Sequence, residues 1–235
     1  MRGPTPAKAG ARLLLVSAPC RGKHQAMFLR VMVGLTLAVQ IGLGLSPKAD
    51  RLTWALENFP VWLGLVALAL CWRRFPLSRL CLGLLVIHGV ILAVGGHWTY
   101  AKVPAGDWVK EWFGLARNHY DRLGHFAQGF VPALFVRELL LRRSGVGRTC
   151  WLPFLAGSVC LAFSAFYEFI EWWTALIAGS GATEFLGTQG DPWDTQWDMF
   201  LCLLGATVAL LLLSRAHDRS LARLQAAGSG PDHKI

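Results

Sequence analysis

The chain has 235 residues, 54% of them hydrophobic and 16% charged, with a mean hydropathy of +0.43. That composition excludes an ordinary soluble domain and a disordered chain, and it leaves no room for a second, soluble domain. The formal charge of +9 would suit a nucleic-acid partner. However, Lys and Arg gather mainly in alternate loops, as orientation in a lipid bilayer requires, and no basic stripe interleaved with aromatics occurs, so nucleic acid is excluded as a partner.

Residues 1–27 form a basic tail carrying Arg2, Lys8, Arg12, Arg21 and Lys23. The run LLLVSAPC is too short for a signal peptide followed by a separate anchor, and Pro19 argues against lipid attachment at Cys20. Met27 offers an alternative start, because the fold needs nothing upstream of it. Apolar runs near the ~20 residues that cross a bilayer then follow. They predict spans over Phe28–Leu45, Trp54–Trp72, Leu80–Tyr100, His119–Leu141, Trp151–Ala178 and Trp197–Ser214. Pro60 either kinks the second span or marks its true beginning. The expected architecture is an all-α polytopic bundle of about six transmembrane helices. The membrane domain runs over residues 28–214, and 215–235 form a C-terminal cytoplasmic tail.

Charge sets the orientation. Arg73, Arg74 and Arg79, then Arg142, Arg143 and Arg148, then Arg215, Arg219 and Arg223 share one side with the N-terminal tail, and no basic residue lies between the last two spans. The positive-inside rule places both termini in the cytoplasm. Tryptophans such as Trp98, Trp172 and Trp197 gather at the opposite, outer boundary, where amphipathic rings sit well. Between the third and fourth spans, Asp107–Leu115 places Trp108, Trp112 and Leu115 on one helical face and reads as a short interfacial helix. Tyr100, Asp107 and Glu111 read as wet loop groups. Glu138 and Arg137 read as snorkelling side chains at the cytoplasmic end of the fourth span.

The last three spans carry polar groups at outer depth. Asp121, His125 and Gln128 recur at i, i+4 and i+7, so one face of the fourth span presents all three. Glu168 lies roughly 26 Å along the fifth span from Trp151, on a face shared with Ser164 and Glu171. Asp194 and Asp198 open the sixth, behind an ordered turn at Gly190–Pro192. Gly205 follows on their side and could admit a close helix neighbour. A charge within a span costs about 2.5–3.5 kcal/mol on insertion scales, so these acids need a resolution. A divalent metal ion could bind Asp121, His125, Glu168, Asp194 and Asp198, with Glu171 and His119 as catalytic proton carriers. The acids could instead pair with Arg122 and His119 and only fix helix packing. They could also line a cavity for a cationic substrate or a proton. His88 reads as a packing or hydrogen-bonding residue and His97 as a possible member of the site. The cysteines, Cys20, Cys71, Cys81, Cys150, Cys160 and Cys202, read as small apolar packing residues, with no CxxC pair.

The segments DRLGHFAQGF (Asp121–Phe130), AFYEFIEWW (Ala165–Trp173) and FLGTQGDPWDTQWDM (Phe185–Met199) resemble the motifs of the YjdF-type bacterial inner-membrane proteins. That resemblance covers roughly residues 28–214 and implies a multi-pass protein of the bacterial inner (plasma) membrane. A weaker similarity, through Asp121 and His125, Glu168 or Glu171, and Asp194 or Asp198 with Gly205, is to the VanZ-like membrane proteins, which are linked to glycopeptide resistance. The extra acids and the long GTQGDPWD loop depart from that simpler pattern. The leading functional expectation is metal-assisted hydrolysis or transfer at the periplasmic face, acting on a lipid-linked or envelope molecule. A small proton-coupled or cation transporter and a non-catalytic assembly factor are the alternatives.

Overall fold

A computed structural model of the protein describes residues 23–179, Leu186 and residues 188–228. The N-terminal tail with Cys20, part of the loop before Asp191, and the last residues lie outside the described ones. The described chain is helical throughout: α1 (Lys23–Gly44), α2 (Arg51–Cys71), α3 (Arg79–Trp98), α4 (Pro104–Phe113), α5 (Tyr120–Leu139), α6 (Trp151–Ala178) and α7 (Asp194–Gly228).

The starts and stops follow local chemistry. Asp50 caps α2 by accepting from Leu52 N and Thr53 N, at 2.9 and 3.0 Å. Ser78 caps α3 by accepting from Cys81 N at 3.4 Å. Asp50 places the start of α2 at Arg51, which leaves Pro60 inside the helix rather than at its beginning. Gly114, at φ 61°, ends α4 in the left-handed region that glycine enters without strain. Helix α4 thus begins earlier than the tryptophan pattern suggests and stops before Leu115. Its Trp108, Trp112 and Phe113 are exposed.

Five helices, α1, α2, α3, α6 and α7, are long and apolar enough to cross a membrane. Helix α5 matches them in length but holds Asp121, Arg122, Arg137 and Glu138. It tolerates these charges because it sits centrally, packed most extensively against α7 and also against α6 and α3. Two glycines set the α5–α7 approach. A Cβ at Gly129 would strike the Cys202 carbonyl oxygen, and one at Gly205 would strike the Phe126 carbonyl oxygen. The backbones therefore touch, as small residues permit between membrane helices.

The inner half of the bundle is closed by an apolar core that includes Leu82, Ala133, Leu134, Cys160, Cys202 and Ala206. The five described cysteines are free. Helix α7 continues past Ser214 into the expected tail, because His217 and Leu221 on its inward face are buried. Gln25 near the start of α1 donates to the Leu77 carbonyl at 3.0 Å, and Ser220 of α7 accepts from Leu80 N at 3.2 Å. The beginning of α1 and the far half of α7 therefore meet at one end of the bundle, the end that loop charge assigns to the cytoplasm.

Candidate functional site

At the outer end, the approach to α5 and the turn before α7 are tied together. The Gln189 side chain accepts from Asn118 N and donates to the Asn118 carbonyl, both at 2.9 Å. Asn118 is fully buried and also donates to the Val103 carbonyl and to Asp107 Oδ1, each at 2.9 Å. Asp107 is therefore a partner in this tie rather than a wet loop group.

Arg117 lies under the tie. Its Nη1 reaches Asp194 Oδ1 at 2.5 Å and Asp191 Oδ2 at 3.4 Å, and its Nη2 lies 3.7 Å from Asp121 Oδ2. Arg122 completes the frame with Asp191 Oδ2 at 2.7 Å and stacks over the Trp197 ring at 5.0 Å. Asp194 and Asp191 are thus taken up by guanidinium groups.

One turn deeper, the acids outnumber the cations. His125 Nε2 is 3.5 Å from Asp121 Oδ1 and 3.8 Å from Asp198 Oδ1. Asp121, His125 and Asp198 offer ligand atoms within 4.8 Å of one another, and so do His125, Glu168 and Glu171. The two groups share His125. Three buried atoms here lack a hydrogen-bond partner: His125 Nδ1, Glu168 Oε1 and Asp198 Oδ1. A nitrogen and several carboxylate oxygens, with no thiolate, form a donor set suited to zinc, manganese or iron. An orphaned buried polar atom is costly, and a cation held at either group would relieve part of that cost.

The sequence-derived residues therefore divide. Asp121, His125, Glu168, Glu171 and Asp198 come together in the two overlapping groups. Asp194 belongs to the arginine frame. His119 precedes α5 and belongs to neither group. His97 is not a member either: its Nδ1 lies 2.8 Å from the Leu43 carbonyl and joins α3 to the end of α1.

Sequence reading missed two members of the outer region, Glu57 and Tyr100. Beside His125 lies a cavity of about 60 Å³ walled by α2, α3, α5 and α6, and Glu57, Tyr167 and Glu171 face it. Glu57 is buried and accepts from the Tyr167 hydroxyl at 3.3 Å. An acid in the apolar run after Trp54 was the available signal, since a carboxylate there is expensive. Tyr100, expected in a wet loop, is buried and also lines the cavity. His88 does not serve as a hydrogen-bonding residue through Nε2, which has no partner, and it lines the same space.

A family model described as "Predicted membrane protein (DUF2238)" matches residues 28–219. The chain belongs to this family. It is 53% identical over 174 residues to the inner membrane protein YjdF of Escherichia coli (strain K12), a match covering 74% of this chain and 83% of that one. No solved structure matches the chain. The protein is a multi-pass protein of the bacterial inner membrane. The matched span includes all the outer acids and also reaches Asp218 at the opposite end of the bundle.

A second polar cluster lies there, and Glu138 does not snorkel to water. It is fully buried and accepts from Ser78 N at 3.0 Å, Arg142 Nη1 at 2.7 Å and His217 Nε2 at 3.1 Å. Arg137 donates to His217 Nδ1 and to Asp218 Oδ1, both at 2.9 Å. A guanidinium can only donate, so His217 carries its proton on Nε2 and passes that bond to Glu138. Cys81, Glu138 and His217 also offer ligand atoms within 4.8 Å. In this cluster, however, protein donors and acceptors already use both imidazole nitrogens and both Glu138 oxygens.

Proposed function

We propose that the outer cluster is a metal-dependent centre for hydrolysis or group transfer on a lipid-linked or envelope molecule at the periplasmic face. The observation that carries this reading is the set of three partnerless buried ligand atoms, on His125, Glu168 and Asp198, within two overlapping ligand groups that share His125 and draw on α5, α6 and α7. Asp121, His125, Glu168 and Asp198 would hold the cation. Bound there, a divalent ion supplies Lewis acidity and lowers the pKa of a coordinated water.

The chain's own residues do the remaining work. Arg117 and Arg122 hold Asp191 and Asp194, and so fix the turn that aims Asp198 inward. Glu171, within reach of both His125 and Glu168, accepts the proton released during attack. Tyr100 and Tyr167 restrict water around that carboxylate. The apolar core lies between this cluster and the opposite end of the bundle, which favours a one-sided reactive centre over a carrier.

Elemental analysis of detergent-purified protein tests the reading. About one equivalent of zinc, manganese or iron per chain is expected, and Asp198→Asn and Glu168→Gln should lose it. Wild-type protein that stays metal-free after exposure to each of these ions would rule the centre out.

A further inference from the structure

The cavity inward of the ligand groups has about 60 Å³ of space. At roughly 10–15 Å³ per water, that admits a few waters or one aminomethyl-sized group. Its lining is acid-rich: Glu57, Asp121 and Glu171 face it, and neither Lys nor Arg does. Two histidines line it, His125 and His88, each with one ring nitrogen that has no partner, and the His125 side chain is 9% exposed. Such a space repels phosphate and favours a cationic hydrogen-bond donor.

Access is sideways. On the outer side, Tyr100 blocks the way: a Cβ at either Gly95 or Gly124 would meet its ring. The arginine frame closes the space above. At mid-depth the lining residues Pro60, His88, Gln128 and Tyr167 are only part-buried. Helix α2 packs chiefly on α3, whereas α6 packs on α5 and α7. A Tyr167–Glu57 hydrogen bond, at a long 3.3 Å, links α2 to α6 across their seam. Phe59 and Leu63 of α2 and Phe163 and Phe166 of α6, within two turns of Glu57 and Tyr167 in the chain, are exposed apolar side chains.

We propose that this cavity takes the ammonium head of a membrane amphiphile, which enters from the hydrocarbon layer through the seam between α2 and α6 and meets Glu57 and Tyr167 there. The Tyr167–Glu57 bond opens as the head exchanges for it, and the amphiphile's chains stay among the flanking phenylalanines and Leu63. The proposal rests on the reading above in one respect: the bound head would lie beside His125 and Glu171, within reach of the cation.

The full-length protein in phosphatidylglycerol nanodiscs tests this with two traced probes. One is a phosphatidylethanolamine with a diazirine near the top of its acyl chain, and the other is the same chain on phosphatidylglycerol. Photolabelling of the Phe59–Leu63 and Phe163–Tyr167 peptides should be at least ~5-fold higher with the amine head, as the loss of a charge-assisted bond implies. Glu57→Gln should reduce it to the level of the glycerol head, and Tyr167→Phe, which keeps the ring, should shift the preference in the same direction. Equal labelling by both heads, or labelling spread evenly around the bundle, would overturn the proposal. Metal content measured on the same samples separates the two readings. Head preference absent with the cation retained defeats only the lateral pocket. Head preference retained without any cation defeats only the metal centre.

Discussion

Glu138 and Glu168 are both buried carboxylates within membrane helices, and their surroundings differ in kind. Around Glu138, three donors converge on one carboxylate, Ser78 N just before α3, Arg142 just past α5 and His217 of α7, and Arg137, Arg142 and His217 outnumber the acids they serve. Around Glu168 the balance is reversed. The outer arginines are engaged by Asp191, Asp194 and Asp121, which leaves His125 facing Asp198, Glu168 and Glu171. In both clusters the ligand atoms lie close enough together to hold a metal, so distance alone does not tell them apart. Hydrogen-bond satisfaction does: the inner cluster is a finished clamp, and the outer one keeps buried ligand atoms without a protein partner.

The largest test of this contrast is Glu138→Ala. It leaves the buried His217 Nε2 and Ser78 N without the Glu138 acceptor, removes one of the acceptors of Arg142, and should cost about 3–5 kcal/mol. Thermal unfolding in detergent would read the loss, and an unchanged midpoint would show the clamp to be ornamental. Next come Gly129→Ala and Gly205→Ala, where the added Cβ meets backbone that must move. Each should cost about 1–3 kcal/mol. Each should also weaken metal retention, since α5 carries His125 and α7 carries Asp198. Retained metal in a destabilised Gly205→Ala protein would mean the outer groups do not depend on the close helix approach.

Asp198→Asn should act in the opposite direction from Glu138→Ala. In metal-stripped protein, removing one of the crowded acids should leave stability unchanged or raise it by up to ~1 kcal/mol. Metal affinity should fall at least ~10-fold. A strong destabilisation of the stripped protein would make the outer cluster a second clamp.

The smallest expected effect lies away from both clusters, at the Asp50 cap. The Thr53 hydroxyl, with backbone donors, holds the Asp50 carboxyl below its ordinary value of 3.8. A lowered folded-state value contributes stability that is full above the unfolded value and is lost as pH falls through the folded one. Asp50→Ala should cost about 1 kcal/mol at neutral pH. Unfolding midpoints taken downward from about pH 5 should converge with wild type in acid. A gap that persists below both values would assign the cap's contribution to something other than charge.

Much of the scaffold was legible because lipid imposes length and composition on any crossing helix. The bounds of α6 agree with the apolar run over Trp151–Ala178, and α3 nearly matches its own. The outer acids were legible for a related reason: a charge in such a run is expensive enough to stand out. Glu57 is equally expensive, but its partner Tyr167 lies 110 positions away on another helix, so nothing in its own span marks that pairing. Tyr100 and Asp107 were misread as wet, since burial of a polar loop residue depends on what folds over it. Glu138 was misread as snorkelling, because its donors come from residues 60 and 79 positions away.

Sequence alone determined the all-helical membrane architecture and the acids and imidazoles along each helix. Hydrophobic length, charge bias and helical repeat are local properties, and a single strand of text records them. Only the tertiary structure decided which acids are neutralised and which are left over. That outcome depends on where Arg117, Arg122, Arg137 and Arg142 come to rest, and on backbone contact at Gly129 and Gly205 that sets α7 against α5. Coulombic and hydrogen-bond partnership falls off within a few ångströms, and residues far apart in the chain are brought within that range only by packing.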